Sequence, residues 1–404
     1  TRITEEDILK DLTEQAVAVL KENQIVAGVL AYDVAFISQE SGEETEPQKP
    51  IEVSIHYKTT VVPEEVDEAA VTGISVVHLP ENQDAEVVTT AGNATETEIA
   101  FRADSLSPFV VTIQVDAEAR TGENSWATLE EAIQNVKEGE TICLLADVEV
   151  PYLMINRESP KAFTLDLNGK TIYGTSTYYV LYLYGGEVTI DDSSEGKTGT
   201  ITHKTNGKGG GVAVNGGTLY MENGTICGNE AESGGGVNVG SKGVFVMNGG
   251  TIKENRATYG GGLYVKGKAE IKEASSIEGN TCAYYGGGVY VYFDAKLTME
   301  NGRICHNVNT SWYGGGVYNR GTFTMTGGAI ERNSTQTSKR FGGGIYSEGG
   351  LLEIKDSKIE GNSNGGLYIV NGDAHLEHVL IEENTGNQPA LYVEGGGEFS
   401  AEGC

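Results

Sequence analysis

The chain has 404 residues, enough on the usual length prior for two or three domains. It carries 28 Lys and Arg against 58 Asp and Glu, a net charge of −30. That balance argues against nucleic acid and anionic membrane as partners, because both are polyanions. No run of 18 apolar residues occurs, so no direct membrane insertion is expected, while 56 glycines point to a folded, turn-rich protein.

In chain order, residues 4–22 read as an amphipathic helix. Thr4 and Asp7 form a capping pattern, and Ile8, Leu12, Ala16, Val19 and Leu20 fall on one face. From Ile25 the apolar period changes to two, through VLAYDVAFIS, IEVSIHYK, ISVVHLP, AEVVTT, TEIAFRA and FVVTIQV. Six short strands separated by Pro, Gly, Asn and Glu clusters predict a small antiparallel β-sandwich, completing a first domain over residues 1–117.

The segments AYDVAFIS, PIEVSIHYK, VVHLPENQDAEVV and FRADSLSPFVVTI resemble a β-sandwich module of large secreted surface proteins in Gram-positive bacteria. The resemblance covers residues 25–115 and implies no catalysis. The Ser107-Pro108-Phe109 step is also similar to a self-cleaving β-sandwich that cuts before a Ser preceded by His-Phe. Ser-Leu stands there instead, so a plain final strand is the reading.

A second domain is expected over residues 118–404. It opens with a short helix over 128–138, where Thr128 and Glu131 make a capping box and Gly139 ends the helix. Its apolar face, Leu129, Ala132, Ile133 and Val136, suits the cover that an open solenoid end needs. Six triple-glycine blocks follow, at Gly209, Gly234, Gly260, Gly286, Gly314 and Gly342, 25 to 28 residues apart. Each opens a phrase of the form GGGVYV, then LTMENG, then a Thr-Ile or Arg-Ile step, then a lone Asn. Apolar residues alternate within the phrase and glycines would break a helix, so each unit reads as one coil of a parallel β-solenoid. The fold class is therefore all-β, a solenoid of about 9–10 coils behind a small sandwich with a leading helix.

The opening SWATLEEAIQNVKEGETICLLADVEV and FTLDLNGKTIYG resembles that of right-handed parallel β-helix domains of the pectate-lyase-like superfamily. The phrases GGGVYV and LTMENGRICHN are similar to its adhesin-like members in bacterial surface proteins. These motifs are specific for the fold and weak for function, since one fold hosts many activities.

Within a coil, Val212, Val237, Leu263, Val289, Val317, Ile345, Leu367 and Leu391 should stack as one inward column. The glycines mark a tight corner, with positive φ or close approach of coils. Asn229, Asn255, Asn280, Asn307, Asn333, Asn362 and Asn384 keep the same beat and suit a structural amide ladder. The five cysteines, Cys143, Cys227, Cys282, Cys305 and Cys404, lack metal-type spacing. Cys227 and Cys305 share a register but lie three coils, about 14 Å, apart, so all five read as free thiols.

The best candidate surface is a tyrosine stripe two residues beyond each corner: Tyr264, Tyr290, Tyr318, Tyr346, Tyr368 and Tyr392, continuing from Ala213 and Asn238. Alternation turns these side chains outward. A second column, Tyr259, Tyr285, Tyr313 and Phe341, runs beside it, joined by Tyr284 and Trp312. Aromatic faces on a shallow surface suit sugar stacking or a protein partner. The competing account is an aromatic ladder that stabilises the solenoid without any ligand.

Glycoside hydrolysis would need paired carboxylates, for which adjacent coils give a fitting separation. Glu222, Glu300 and Glu377 share a register but do not fall on neighbouring coils, and the adjacent Asp191 and Asp192 diverge or lie in a turn. The densest titratable group is Glu353, Asp373, His375, Glu377 and His378, with Glu353 beside His375 and Lys355 beside Glu377 across a coil gap. It reads as a solvated face rather than a metal or acid–base site. Lyases of the resembled superfamily use basic residues to neutralise acidic sugars, which this acidic chain disfavours. The GKGGGV run at 207–212 lacks phosphate-loop spacing, and no cofactor or metal is expected.

The chain also opens without a secretory signal and stops inside a repeat, which suggests a piece of a longer protein. The expectation is an extracellular, monomeric, non-catalytic segment of a bacterial cell-surface protein. It would serve adhesion or display, with the Tyr stripe meeting a host or mucin glycan or a glycoprotein. A carbohydrate-active enzyme of the same fold is the runner-up, and a passive spacer the third reading.

Overall fold

The computed structural model describes residues 2–3, 5–20, 24–34, 49–57, 71–80, 84–91, 98–103, 105, 108–122, 124–156, 160–204, 208–336 and 341–404. Its contacts divide the chain into two units, residues 1–119 with 123–131, and residues 120–122 with 132–404.

In the first unit an antiparallel sheet runs in the order Arg2–Ile3, Gln24–Tyr32, Phe109–Asp116, Val71–His78, Glu86–Ala91. Ile51–His56 and Glu98–Ala103 pair antiparallel as a second layer. Leu30, Val76, Ile99, Phe101, Val111 and Ile113 fill the space between them. Each of the six expected strands has a counterpart, the first running Gln24–Tyr32, and residues 35–38 of its expected span lie outside the described residues. Phe109–Asp116 is buried along nearly its whole length, because both faces are covered. Helix α1 (Glu6–Val17) lays Leu12 and Ala16 on the far face, against Ala31, Val77 and Val110.

The helix is shorter than its sequence pattern, and Ile8 and Val19 are exposed. Leu9 and Leu20 pack beside Leu12 and Ala16 instead. Thr4 of the expected cap and Ser107 of the serine–proline step lie outside the described residues.

Ahead of the solenoid, helix α2 (Leu129–Asn135) opens with the expected reciprocal cap. The Glu131 N–H donates to Thr128 Oγ1 at 3.2 Å, and the Thr128 N–H donates to Glu131 Oε2 at 3.3 Å. Leu129, Ala132, Ile133 and Val136 are all buried. The helix stops at Asn135, and the Lys161 ammonium donates to the carbonyls of Gln134 and Val136. Gly139, at φ +80°, gives its N–H to Ala162 rather than closing the helix.

The second unit is a parallel β-solenoid whose strands pair with those one coil away. Three inward columns run along it. The first passes from Leu153 and Leu181 to Val212, Val237, Leu263, Val289, Val317, Ile345, Leu367 and Leu391. This is the column the period predicts, and all but the last member is buried. The second includes Leu219, Phe245, Leu297, Phe323 and Leu352. The third begins at Val148 and is isoleucine from Ile172 to Ile381. A short fourth sheet, Glu230–Ser233, Arg256–Tyr259, Thr281–Tyr285, Val308–Asn309 and Ser334–Thr335, lies between the Asn position and the glycine corner.

The corner shows why three glycines recur. Gly286 adopts φ +70°, which L side chains avoid. A Cβ on Gly287 would stand 2.3 Å from the Gly315 carbonyl oxygen, and one on Gly288 would stand 2.8 Å from Asn307 Nδ2. Conformation thus requires the first glycine, and coil approach the other two.

The Asn residues form a continuous amide ladder. The Asn280 N–H and Nδ2 both donate to Asn307 Oδ1, at 2.9 and 3.0 Å, and Asn307 Nδ2 donates to the Ile277 carbonyl at 2.9 Å. The pattern repeats from Asn229 to Asn384, so buried corner groups are paired coil after coil.

Candidate binding surface

The tyrosine stripe is in register: Tyr264, Tyr290, Tyr318, Tyr346, Tyr368 and Tyr392 are partners on successive coils. Its expected exposure is not what the structure shows. The first five are buried, between 2% and 7% exposed, and Tyr392 is half-buried. The cause is the second aromatic column, whose rings lie over the stripe. Tyr285 stacks on Tyr318 at 4.4 Å, Tyr313 on Tyr346 at 4.4 Å, and Phe341 on Tyr368 at 4.5 Å. Each covering ring sits over the tyrosine of the next coil.

Along the stripe, neighbouring rings are 5.2 and 5.1 Å apart and edge-on from Tyr264 to Tyr318. They stack at 5.5, 5.3 and 4.3 Å from Tyr318 to Tyr392. Such pairs contribute about 0.5–1.5 kcal/mol each beyond the area they bury. Burial raises the phenol pKa of Tyr264, Tyr318, Tyr346 and Tyr368, and pushes that of Tyr290 up to about 12. These hydroxyls stay protonated at neutral pH, and that of Tyr318 donates to Glu348. Geometrically the stripe is a second core, outside the solenoid lumen.

What reaches solvent is the rim. Tyr284 is 41% exposed and meets Trp312 edge-on at 6.0 Å. Buried Asn309 holds this loop: its Nδ2 donates to the carbonyls of Tyr284 and Tyr313, both at 2.7 Å. Its Oδ1 accepts the Trp312 N–H at 2.7 Å. Sequence reasoning missed Tyr292 and Phe293, 39% and 60% exposed, at the other border of the ladder. Lys266 Nζ lies 5.2 Å from the Tyr292 ring centre and 5.4 Å from that of Tyr264. The apolar pair Tyr292-Phe293 breaking the strand alternation was the available signal.

The titratable face near the C-terminus has the expected neighbours. Glu353 pairs in register with His375, and Lys355 with Glu377, whose groups form an ion pair at 2.9 Å. The next coil adds Ser400 beside His375, with His375 Nδ1 and Ser400 Oγ 2.9 Å apart, and Glu402 beside Glu377. His378 Nδ1 lies 3.2 Å from Asp356 Oδ1 and 3.8 Å from Glu377 Oε1 of this row, and Asp373 Oδ1 accepts the Glu398 N–H. A shallow groove of 650 Å³ runs over Thr324, Glu353, His375, Glu377, Ser400 and Glu402.

The expectation that acids avoid neighbouring coils is overturned. Glu377 faces Glu402, and Glu331, Glu360 and Glu382 occupy three successive coils. The register of Glu300 and Glu377 is interrupted by Thr326 and Lys355, as expected, but it resumes at Glu402. Asp192 is fully buried in a turn, accepting the N–H groups of Gly169, Ser194 and Gly199. Among the described residues no three His, Cys, Asp or Glu side chains are arranged to hold a metal. All five cysteines are free thiols.

Residues 210–385 match the family model for a right handed beta helix region. Neither the curated proteins nor the solved structures gave a match. The β-helix match contains all seven ladder asparagines, Asn229 to Asn384, and the glycine corners that begin at Gly234, Gly260, Gly286, Gly314 and Gly342, while the corner at Gly209 begins one residue before it. It contains Tyr284 and Trp312 but not the coils before Gly210. Among the described residues no helix is long and apolar enough to cross a membrane.

Proposed function

We propose that this chain is a non-catalytic adhesion or display segment of an extracellular surface protein of a Gram-positive bacterium. Its partner is a host or mucin glycan, or a glycoprotein carrying one. The observation that supports this reading is the rim of Tyr284 and Trp312, held open by Asn309 and mounted on a sealed aromatic ladder. A rigid β-helix presents such a rim without reorganisation, and fixed aromatic edges cost little entropy when a partner stacks on them. The contact surface is thus the border of the tyrosine stripe rather than the stripe itself.

A glycan and mucin array tests the proposal, run with the chain and with a Tyr284→Ser, Trp312→Ser double variant. Binding that falls at least tenfold in the double variant at unchanged melting temperature supports a contact rim. A blank array favours a passive spacer.

One observation favours a second reading, a carbohydrate-active enzyme. Glu377 and Glu402 stand on adjacent coils in a groove that also holds His375 and Ser400. Coil spacing of about 4.8 Å is near the carboxyl separation of about 5–5.5 Å used by retaining glycosidases. Turnover of a neutral polysaccharide that is abolished by Glu377→Gln or Glu402→Gln would promote this reading over adhesion.

A further inference from the structure

The outward column that becomes the sealed ladder begins differently. In register it runs Met154, Tyr182, Ala213, Asn238 and only then Tyr264. Among the described residues, no column of stacked rings covers it at the first coils, where Tyr152 meets Tyr182 edge-on instead. Tyr178 is 58% exposed, Met154 40%, and Tyr152 and Tyr184 38% each. With Tyr182 they enclose a cleft of 330 Å³. The volume is small-ligand sized, at the lower end of the range of about 300–1,000 Å³ found for such sites.

The cleft has defined walls. Tyr182 and Tyr184 stack with centroids 6.2 Å apart and planes 18° from parallel. Tyr152 stands upright against them, 89° to Tyr182 at 6.4 Å and 84° to Tyr178 at 5.7 Å. Hydrogen bonds hold this frame. The Tyr182 hydroxyl accepts the Tyr179 N–H at 3.2 Å. Ser176 Oγ donates to the Pro151 carbonyl at 2.5 Å and accepts the Tyr178 N–H at 3.2 Å. The Tyr178 carbonyl lies 3.0 Å from Nε2 of His203. The rings are therefore positioned before any ligand arrives, which lowers the entropic cost of binding.

The lining chemistry selects the ligand. It offers flat aromatic faces, one thioether and four phenol hydroxyls, and among the described residues none of the five that line it carries a charged group. A ligand that satisfies all of this is neutral, with a C–H face to lie on a ring and hydroxyls at its edge to meet the phenols. The chain's net charge of −30 further disfavours an acidic ligand. We propose that this cleft is a subsite for one uncharged pyranose unit of a neutral oligosaccharide. It shares no residue with the Tyr284–Trp312 rim, so the two proposals stand or fall separately.

The test is calorimetric titration and saturation-transfer NMR of the whole chain with cellohexaose, mannohexaose and N-acetylchitohexaose. Hexagalacturonate and decaproline serve as the acidic and peptide comparisons. The expected result is binding of at least one neutral oligosaccharide, with saturation transferred to its ring C–H protons. Tyr152→Ser and Tyr178→Ser should each weaken that binding at least tenfold. Tyr152→Phe, which keeps the ring, should weaken it less than threefold, and Tyr284→Ser should leave it unchanged. The melting temperature of each variant, and the retained binding of Tyr152→Phe, separate a lost site from a lost fold. The proposal is overturned if none of the three neutral hexasaccharides binds at millimolar concentration. It is equally overturned if hexagalacturonate or decaproline binds more tightly, or if binding survives both serine variants.

Discussion

His203 and Asn229 meet at the head of the amide ladder: Nδ1 of the imidazole lies 2.9 Å from Asn229 Oδ1, with both side chains buried. The ring fits because its neighbours are glycines. A Cβ on Gly209 would come within 2.3 Å of the imidazole, and one on Gly174 within 2.6 Å. The orientation of the Asn229 amide is set from the other side, where its Nδ2 donates to Asn255 Oδ1 at 3.0 Å. The imidazole thus meets the Oδ1 at the end of the ladder, where among the described residues no further Asn does.

His203→Ala should therefore destabilise the solenoid by about 1–3 kcal/mol, the cost of an unsatisfied buried polar group. Asn307→Ala should cost more, because it strips an acceptor from both Asn280 donors and a donor from the Ile277 carbonyl. Denaturant unfolding of the two variants checks the order. An Asn307 variant as stable as the parent would remove the ladder as a source of stability.

The glycine corner makes a sharper contrast. Gly287→Ala forces a Cβ to 2.3 Å from a backbone carbonyl of the next coil, which cannot move without breaking its own pairing. Gly396→Ala meets nothing within 4 Å. The first should destabilise by about 1–3 kcal/mol or more, and the second should change stability by less than about 0.5 kcal/mol. Thermal melts of the two proteins settle it.

The inward columns and the ladder were legible because both are periodic in the residues that make them. Val289 or Asn307 declares its role by its spacing alone. The fate of the tyrosines was not legible in the same way. Alternation says that Tyr318 leaves the lumen, but not that Tyr285, one coil earlier, lies across its face. Covering is a property of two columns together, and the twist that brings them into contact leaves no mark on the period. His203 was missed for a related reason: it completes an Asn column without being Asn. The Glu377–Glu402 pair escaped because the last coil abandons the repeat phrase, so Glu402 carries no register in the sequence.

Asp192 gives a pH prediction at the acid end. Burial pushes its pKa up, but hydrogen bonds from Ser194, Gly199 and Gly169 outweigh that and hold it below the usual carboxylate value. A carboxylate lowered in the folded state contributes stability that is present above its unfolded pKa and lost as pH falls through the folded one. Unfolding free energy should thus decline below about pH 4, the ordinary aspartate range. Asp192→Asn should lower stability at neutral pH and flatten that acid limb. An acid limb of unchanged slope in the variant would assign the decline to other carboxylates.

The tyrosine ladder gives the opposite limb. Tyr290 is raised from 10.0 to about 12, chiefly by burial, so the folded state holds its proton more tightly than the unfolded chain does. The contribution is fully present below the unfolded value and is lost as pH rises from about 10 to about 12. Tyr264, Tyr318, Tyr346 and Tyr368 are shifted the same way and act together. Alkaline unfolding, followed by phenolate absorbance and by circular dichroism, should therefore be cooperative, with phenolate appearing as the strands are lost. Changing Tyr290, Tyr318 and Tyr346 together to Ser should lower the melting temperature strongly at neutral pH and weaken this alkaline transition. Removing only the rim residues Tyr284 and Trp312 should do neither. If the triple variant instead melts like the parent, the ladder is not a second core, and the rings are held by something other than one another.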